Sequence, residues 1–279
     1  MSLVTMKKVL EHAKNNNIGV GAFSVGNMEM VKAAVKAAEE LNTPIILQIA
    51  EVRTKHSPLG YMGSMMVQAA KEATVDIAVH LDHGLTMGTV KKALELGFTS
   101  VMFDSSTYPF EENIMRTKAV VELAKEYGAT VEAELGLVGG SEDGSCDHGI
   151  QCTNPDDAKI FCEETGIDAL AVAIGNAHGN YPVAPKLAFD VLEEIRKKAN
   201  IPLVLHGGSG ITDSDFQKAI SLGIVKVNIA TASFNSLTNH VEEYIKTEGA
   251  HNYFDLNEAM VQGTYENVKH HIEVFNKKF

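Results

Sequence analysis

The sequence is poor in cysteine, and the cysteines that it has form no recognisable pattern. Among 279 residues there are three, Cys146, Cys152 and Cys162. An odd number at these spacings supports neither a disulfide framework nor the paired thiolates of a zinc ribbon. We therefore expect free thiols in a reducing compartment.

Basic residues and long apolar segments are also scarce. Lys and Arg total 24 against 36 Asp and Glu, which gives a formal net charge of −12. Such an acidic chain is a poor match for the phosphate backbone of nucleic acids. No segment approaches the ~20 apolar residues of a membrane helix, and charged side chains interrupt the first turns, where a signal peptide requires an apolar core. The sequence predicts a cytoplasmic protein with no nucleic-acid or membrane partner.

Short apolar segments alternate with longer segments of helical period along the chain. Hydrophobic residues make up 45% and charged residues 22%, which is typical of globular proteins. The pattern predicts buried strands at 18–24, 44–49, 77–81, 100–103, 130–135, 169–174, 202–206 and 225–229. It predicts amphipathic helices at 28–41, 65–72, 89–96, 111–127, 155–165, 189–199, 213–222 and 236–247.

This alternation occurs eight times without a linker or a change of composition. It predicts an α/β fold, a single (β/α)₈ TIM-barrel domain over residues 1–279 with a C-terminal helical extension at 252–279. A doubly wound open sheet is the alternative. The longest interruptions, 53–63 and 138–153, are expected to be functional or mobile loops. Four glycines that follow helices and precede strands are expected to adopt a left-handed backbone: Gly97, Gly128, Gly166 and Gly223.

Histidines lie at the ends of three predicted strands. In a (β/α)₈ barrel, reactive side chains gather at the carboxyl ends of the strands. There, His83, His178 and His206 would point into one mouth, and three neutral imidazoles with an open fourth position hold zinc when it acts as a Lewis acid. A hydrogen-bonded histidine cluster without a metal is the alternative. Asp104 and Glu134 would form a second cation site, hydrogen-bond to the histidines or pair with barrel lysines, and spacing alone does not rank these roles.

A separate pattern points to phosphate. Barrels often bind phosphate with the loops after strands seven and eight. Here Gly207, Gly208 and Ser209 follow strand seven, and Asn-Ile-Ala-Thr at 228–231 ends strand eight. A carbonyl-polarising metal beside a phosphate site indicates a small phosphorylated carbonyl compound and enolisation or aldol chemistry. Asp82 and Glu142 are the carboxylates available as acid and base.

Three other functional interpretations account for parts of this pattern. Lys226 on the last strand would allow a Schiff-base mechanism, but the histidine triad would then have no role. A metal-dependent hydrolase is disfavoured because the first strand, IGVGAFS, lacks paired histidines. A non-catalytic sugar-phosphate binding protein would need neither Asp82 nor Glu142.

Six motifs occur in a fixed order along the chain: HLDHG, GFTSVMFDSS with PFEENI, VEAELGLVGGSED, AVAIGNAHGNY, IPLVLHGGSGI and KVNIAT. Together, from about residue 22 to residue 231, they resemble the class II, zinc-dependent ketose-bisphosphate aldolases, the family of fructose- and tagatose-bisphosphate aldolases. The resemblance implies a lyase of carbohydrate metabolism and glycolysis. Such an enzyme reversibly cleaves a ketose 1-phosphate or 1,6-bisphosphate to dihydroxyacetone phosphate and an aldehyde through a zinc-bound enediolate. The resemblance also implies a homodimer or a higher homo-oligomer.

The resemblance also assigns roles to particular residues. It implies that His83, His178 and His206 bind the catalytic Zn²⁺, and that Asp104 and Glu134 form a second, looser divalent-metal site. Glu142 would remove the proton from dihydroxyacetone phosphate, and Asp82 would protonate the aldehyde oxygen. A Na⁺ or K⁺ ion would be held by backbone carbonyls near the site for dihydroxyacetone phosphate. That site would consist of Gly179, Gly207, Gly208, Ser209, Asn228, Ile229, Ala230 and Thr231.

Three positions depart from the family pattern near the substrate. Ser24 stands where the family usually has Asn, and Pro182 stands where many fructose enzymes have a phosphate-side Lys. Ala230 replaces an acidic or amide residue of the fructose branch, as in the tagatose branch. These departures affect which substrate is expected to bind rather than which reaction is expected.

The largest departure lies in the C-terminal segment. Bisphosphate enzymes of the family carry arginines there that reach the distal phosphate, whereas residues 252–279 contain none and the matching positions fall near Phe254 and Val261. We therefore predict an unphosphorylated aldehyde, with Arg53 as a candidate contact to its carboxylate or hydroxyls. The alternative is a fructose- or tagatose-1,6-bisphosphate aldolase that uses Lys55 or His56 for the distal phosphate.

Overall fold

Eight parallel strands close into a barrel in which each strand pairs with its neighbours in sequence. The computed structural model describes residues 2–140, 149–179, 185–248 and 252–277, and in it β8 pairs back with β1. All residues of these strands are buried, which explains why most of the residues in them are apolar. The predicted TIM barrel is confirmed, and the open sheet is excluded. The strands are β1 (Val20–Ser24), β2 (Ile45–Ala50), β3 (Ile77–Gly84), β4 (Ser100–Phe103), β5 (Thr130–Leu135), β6 (Ala169–Val172), β7 (Leu203–Leu205) and β8 (Ile224–Ile229).

Helices alternate with the strands, and their apolar sides join the outward-facing strand residues in one core. The eight predicted helices are confirmed, although two begin five or more residues earlier than predicted, at Leu59 and at Thr231. In the described part of the chain the helices are α1 (Met6–Asn16), α2 (Met28–Glu40), α3 (Leu59–Glu72), α4 (Met87–Glu95), α5 (Phe110–Lys125), α6 (Pro155–Thr165), α7 (Phe189–Lys198), α8 (Asp213–Ser221), α9 (Thr231–Glu248) and α10 (Tyr253–Phe275).

Helix α1 is not among the elements predicted from the sequence. It begins after Thr5, whose side chain accepts a hydrogen bond from the backbone N–H of Lys8. Its buried residues Met6, Val9 and Leu10 pack against small side chains inside the barrel. Because the chain just before α1 pairs with the first residue of β3, this helix closes the amino-terminal end of the barrel. The opposite end, where the strands finish, carries the polar residues.

The prediction of a long loop at 53–63 is wrong. A 3-10 helix (Glu51–Lys55) follows β2 directly, and α3 begins four residues after it ends. The carboxylate of Glu51 accepts hydrogen bonds from the backbone N–H groups of Leu85, at 2.6 Å, and Thr86, at 3.1 Å. These bonds give the segment an order that local sequence does not reveal. Of the second predicted loop, 138–153, the structure describes 138–140 and 149–153.

The predicted C-terminal extension is confirmed as α10, which packs against α9 and α2. Asn252 caps it by accepting a hydrogen bond from the backbone N–H of Phe254 at 2.9 Å. The left-handed glycines are confirmed as well, with φ of 92°, 65°, 69° and 113° at Gly97, Gly128, Gly166 and Gly223. Within the residues that the structure describes, no helix combines the length and apolar character needed to cross a membrane.

Candidate active site

Three histidines converge where the strands end. His83 lies near the end of β3, His178 follows β6, and His206 follows β7 directly. One ring nitrogen from each lies within 4.8 Å of the others. The ring centroid of His83 is 4.8 Å from that of His178 and 4.7 Å from that of His206. The structure thus brings together the three side chains that the sequence predicts as zinc ligands.

A bulge in β3 sets the direction of the His83 side chain. The pairing of β3 with β4 shifts register between Leu81 and Gly84, and His83 has φ of +41°. Residues other than glycine rarely adopt this conformation, and bulges commonly redirect a side chain beside an active site. Gly84 is required at the next position because a Cβ there would lie 2.6 Å from the carbonyl oxygen of Met102.

Carboxylates orient two of the three imidazoles. His83 Nδ1 lies 2.7 Å from Asp104 Oδ2, and His206 Nε2 lies 2.8 Å from Glu132 Oε1. Because an ionised carboxylate only accepts hydrogen bonds, these two ring nitrogens carry the hydrogens. The other two ring nitrogens, His83 Nε2 and His206 Nδ1, then face each other at 2.9 Å.

This arrangement fits a metal ion. Two ring lone pairs at such a separation repel unless a proton or a metal cation lies with them. Histidine ligands of metals commonly donate their outer N–H to a carboxylate, which fixes the ring and leaves the inner nitrogen free to coordinate. The donor set of three imidazoles is the one that catalytic zinc uses when a fourth position stays open.

The surrounding carboxylates favour positive charge at this point. Burial opposes protonation of His83, but the charge of Asp82 and the hydrogen bond to Asp104 outweigh it and hold the pKa of His83 well above its ordinary value. Burial, reinforced by the charge of Asp104, raises the pKa of Glu134 to about 8. For Asp104, the hydrogen bond and charge of His83 outweigh burial and lower its pKa well below the ordinary range. A divalent cation would satisfy the same electrostatic field.

Asp104 and Glu134 form a second group with His83, and one ligand atom of each lies within 4.8 Å of the others. Glu134 Oε2 is 3.4 Å from His206 Nδ1, and Asp104 Oδ1 accepts a hydrogen bond from Ser106 Oγ at 2.7 Å. The buried barrel lysine, Lys226, pairs instead with Glu132. Of the three roles that the sequence leaves open, hydrogen bonding to histidine and cation binding match the geometry.

Asp82 is fully buried one residue before His83. Its Oδ2 accepts a hydrogen bond from Gln48 Nε2 at 3.1 Å, and its Oδ1 accepts one from Asn228 Nδ2 at 3.1 Å. These two hydrogen bonds fix the direction of the carboxyl group. Asp82 is therefore a preorganised proton acceptor or donor beside the histidines.

The predicted phosphate loops meet at the N-terminus of α9. Gly208 donates its backbone N–H to the Asn228 carbonyl at 3.1 Å, and Ser209 Oγ accepts a hydrogen bond from the backbone N–H of Ala232 at 2.9 Å. Helix N-termini carry partial positive charge and bind phosphate. Thr231 opens this helix, Ile229 and Ala230 lead into it, and Gly179 follows His178 with φ of 88°.

Four residues hold the site but are not predicted as site residues: Gln48, Glu132, Asn176 and Lys226. Asn176 Nδ2 donates a hydrogen bond to the carbonyl of His206 at 3.0 Å. The signal that could have revealed Gln48 and Lys226 is a polar residue inside an otherwise apolar strand, as in IILQIA and IVKVNI.

Other residues singled out from the sequence lie at the margin of the site or outside the described part of the chain. The guanidinium of Arg53 lies over the ring of Phe234, 4.5 Å from its centroid. Glu142 and Pro182 fall in segments outside the described residues.

A barrel whose mouth brings together three histidines, buried carboxylates and a helix N-terminus is typical of a metal-dependent enzyme of phosphorylated substrates. Comparison with known proteins identifies the family within this class. The family model for fructose-bisphosphate aldolase class-II matches residues 4–278. Fructose-bisphosphate aldolase of Staphylococcus aureus (strain Mu50 / ATCC 700699) is 45% identical over 234 residues, 83% of this chain and 82% of its own length.

Two further proteins that the chain resembles are also aldolases by name. A probable fructose-bisphosphate aldolase of Bacillus subtilis (strain 168) is 44% identical over 251 residues, 87% of this chain and 86% of its own. The crystal structure of the YdjI aldolase from Escherichia coli K12 superposes with a TM-score of 0.87 at 35% identity, covering 98% of this chain and 97% of that one.

The chain therefore belongs to the class II fructose-bisphosphate aldolase family. It is an aldolase, an aldehyde-lyase of carbohydrate metabolism, and enzymes of this class depend on a metal ion. The hydrolase and the non-catalytic binding protein are set aside as alternatives.

Proposed function

We propose that the protein is a zinc-dependent aldolase that reversibly cleaves a ketose 1-phosphate to dihydroxyacetone phosphate and an unphosphorylated aldehyde. The observation that carries the proposal is the convergence of three imidazoles, two of which are oriented by carboxylates. We further propose a cytoplasmic homodimer or higher homo-oligomer, as the composition and the family resemblance lead us to expect.

His83, His178 and His206 would hold the Zn²⁺, with His83 using Nε2 and His206 using Nδ1, since their other ring nitrogens face carboxylates. Zinc in a three-imidazole site polarises a carbonyl and stabilises the negative charge that develops on its oxygen. Asp104 and Glu134 would hold a second divalent ion together with His83. A Na⁺ or K⁺ ion near the phosphate is a further part of the proposal.

Two carboxylates would move protons. Asp82 would give a proton to the aldehyde oxygen as the carbon–carbon bond forms and take it back during cleavage, because its oxygens are held by Gln48 and Asn228 at the base of the mouth. Glu142 would remove the proton from the carbon of dihydroxyacetone phosphate, a role that rests on the family motif alone.

The phosphate of dihydroxyacetone phosphate would lie at the N-terminus of α9. Gly207, Gly208 and Ser209 would bind it from the loop after β7, and Asn228, Ile229, Ala230 and Thr231 would bind it from the end of β8. Gly179 would complete this site. Backbone N–H groups and hydroxyls supply hydrogen-bond donors to the phosphate without a basic side chain.

The distal end of the substrate is the part that differs from bisphosphate enzymes. Phe254 and Val261 occupy the region where the family places arginines, and they are apolar, one exposed and one buried. A second phosphate would lose bidentate partners there. Arg53, held over Phe234, would meet a carboxylate or hydroxyls instead.

A fructose- or tagatose-1,6-bisphosphate aldolase is the second candidate, and the names of the Staphylococcus and Bacillus relatives favour it. Lys55 and His56, which are exposed just beyond β2, would then contact the distal phosphate.

The two candidates are separated by measuring kcat/KM of the zinc-loaded protein for a panel of ketose 1-phosphates and for fructose and tagatose 1,6-bisphosphates. We expect the best 1-phosphate to exceed both bisphosphates by at least about tenfold, the cost of one lost charged contact. A bisphosphate that equals the best 1-phosphate would establish the second candidate. A chelator should abolish every cleavage reaction in the panel, and this serves as the control for metal-independent breakdown.

A further inference from the structure

A buried ion pair lies beneath the site and has no part in the proposed chemistry. Lys226 on β8 and Glu132 on β5 are both fully buried inside the barrel. Lys226 Nζ lies 3.1 Å from Glu132 Oε1 and 2.9 Å from Oε2. Removing two charges from water is costly, and well-packed neutral residues can replace such pairs without loss of stability. Stability is therefore a weak reason for the pair to be there.

Glu132 connects the pair to a predicted metal ligand. Its Oε1 accepts a hydrogen bond from His206 Nε2 at 2.8 Å. That bond places the hydrogen of His206 on Nε2 and leaves Nδ1 toward His83. Lys226 holds the Glu132 carboxylate in this position through its contacts with both carboxylate oxygens.

Lys226 connects the pair to the predicted acid. Its ammonium group donates a hydrogen bond to Asn228 Oδ1 at 2.7 Å. Because an ammonium group has donors only, the amide oxygen of Asn228 must face Lys226, and the amide NH₂ must face the other way. That NH₂ donates to Asp82 Oδ1 at 3.1 Å. Lys226 thereby decides which end of the Asn228 amide Asp82 meets.

We propose that Lys226 and Glu132 act as a pair of positioning residues that aligns the imidazole of His206 and the carboxylate of Asp82 from one point in the barrel interior. The inference rests on the proposed function, since it takes His206 as a zinc ligand and Asp82 as the acid. Neither member of the pair touches the substrate in this account.

The test replaces both charges together in Lys226→Met/Glu132→Gln, so that no unpaired charge is left in the interior. We expect the double variant to fold with an unfolding temperature at or above that of the unaltered protein. Its dissociation constant for Zn²⁺, measured by competition with a chromogenic chelator, should rise about 10- to 100-fold. At saturating zinc, kcat for cleavage should fall at least about tenfold while KM changes less than about twofold, because Asp82 acts on the chemical step.

The matched control is Lys8→Met/Asp76→Asn, which removes an ion pair of 2.7 Å at the amino-terminal end of the barrel. We expect unchanged zinc affinity and unchanged kcat in this variant. A Lys226→Met/Glu132→Gln protein with the same zinc affinity and kcat as the unaltered protein would overturn the proposal.

A second measurement needs no variant of the pair. In zinc-loaded protein with ¹⁵N-labelled histidine, the signals of His206 should show hydrogen on Nε2 and a metal-bound Nδ1. Hydrogen on Nδ1 would overturn the proposal. If the unaltered protein binds zinc but cleaves no ketose phosphate, the proposed function fails, whereas the zinc affinities and the His206 signals still decide the positioning of His206.

Discussion

At the scale of single residues, Asp82 and His83 show how adjacent side chains share one site. Successive side chains of a regular strand point to opposite faces, so an inward Asp82 would send its neighbour outward. The bulge between Leu81 and Gly84 and the φ of +41° at His83 remove this conflict and turn the imidazole toward the other histidines. The motif HLDHG predicts the residues, but the bulge depends on pairing with β4 and cannot be read from the motif.

Replacing Asp82, the proposed acid, should separate turnover from metal binding. In Asp82→Asn the side chain keeps its size, but it can no longer deliver a proton, so we expect kcat for cleavage to fall about 10²- to 10⁴-fold. Zinc content, measured by metal analysis of the purified protein, should be unchanged because Asp82 lies outside the three-histidine group.

The matched control for this change is Asp76→Asn, at the opposite end of β3, where Asp76 pairs with Lys8. It should retain full turnover. Loss of zinc in proportion to the loss of activity in Asp82→Asn would contradict the assignment of Asp82 as the acid.

A pair of glycines with the same backbone conformation tests the phosphate loop. Gly207 has φ of 63°, and a Cβ there would lie 2.1 Å from the Ala177 carbonyl oxygen, whereas Gly128 has φ of 65° and no neighbour within 4 Å. Gly128→Ala should cost only the left-handed backbone penalty of about 1 kcal/mol and leave activity intact.

Gly207→Ala must in addition displace the loop. We expect a larger loss of unfolding free energy than in Gly128→Ala and at least about tenfold weaker binding of dihydroxyacetone phosphate, measured by titration calorimetry. Equal effects of the two substitutions on that binding would argue against a phosphate site at Gly207.

At the scale of elements, the barrel strands are predictable from the sequence. Their residues are buried on both faces, and most of them are therefore apolar. Helix α1 could have been found from Met6, Val9 and Leu10, which have helical spacing after a capping Thr5. The starts of α3 and α9 could not be located closely. Tertiary contacts help to order the segment before α3, where Glu51 bonds to the β3–α4 connection, and the first turn of α9, where Ala232 bonds to Ser209.

The site was predictable in part for a related reason. Strand ends identify the three histidines, because fold topology alone brings those positions together. Glu132 and Glu134 alternate on the same strand and are equivalent in the sequence, yet one contacts Lys226 and His206 and the other lies with Asp104 and His83. Only the positions of their partners on other strands distinguish them.

Helix α10 supplies a prediction about pH. His271 packs against Phe216 and Phe275, with ring centroids 5.9 Å and 5.6 Å away, and burial lowers its pKa to about 4. In the unfolded chain the imidazole takes up a proton near pH 6.5, whereas in the folded protein it stays neutral until about pH 4. The unfolded state therefore binds more protons in this interval, so stability falls with falling pH from about 6.5 to 4.

The substitution His271→Phe removes this pH-dependent loss of stability and keeps an aromatic ring in the same packing. Denaturant unfolding at pH 7 and pH 4.5 should show that the variant loses about 2 to 3 kcal/mol less than the unaltered protein between the two pH values. His12→Gln, on the exposed side of α1, should follow the unaltered protein. Identical pH dependence in His271→Phe would show that burial does not lower the pKa of His271 in the folded protein.

At the scale of the whole molecule, helix α1 closes one end of the barrel and the candidate metal-binding groups lie at the other. A chain with a net charge of −12 binds an anionic substrate only where local positive potential outweighs the overall field. A metal ion and the N-terminus of α9 supply that potential in this account. The single-domain organisation over residues 1–279 and the assembly into a homo-oligomer stay predictions at this scale.

The central claim is that a metal ion at the three histidines activates dihydroxyacetone phosphate. Deuterium exchange into dihydroxyacetone phosphate, followed by NMR in D₂O, tests it without knowledge of the aldehyde. The zinc-loaded protein should exchange one proton stereospecifically, chelator-stripped protein should not, and added zinc should restore exchange. Equal exchange in both preparations, or none from zinc-loaded protein that binds dihydroxyacetone phosphate, would contradict the account.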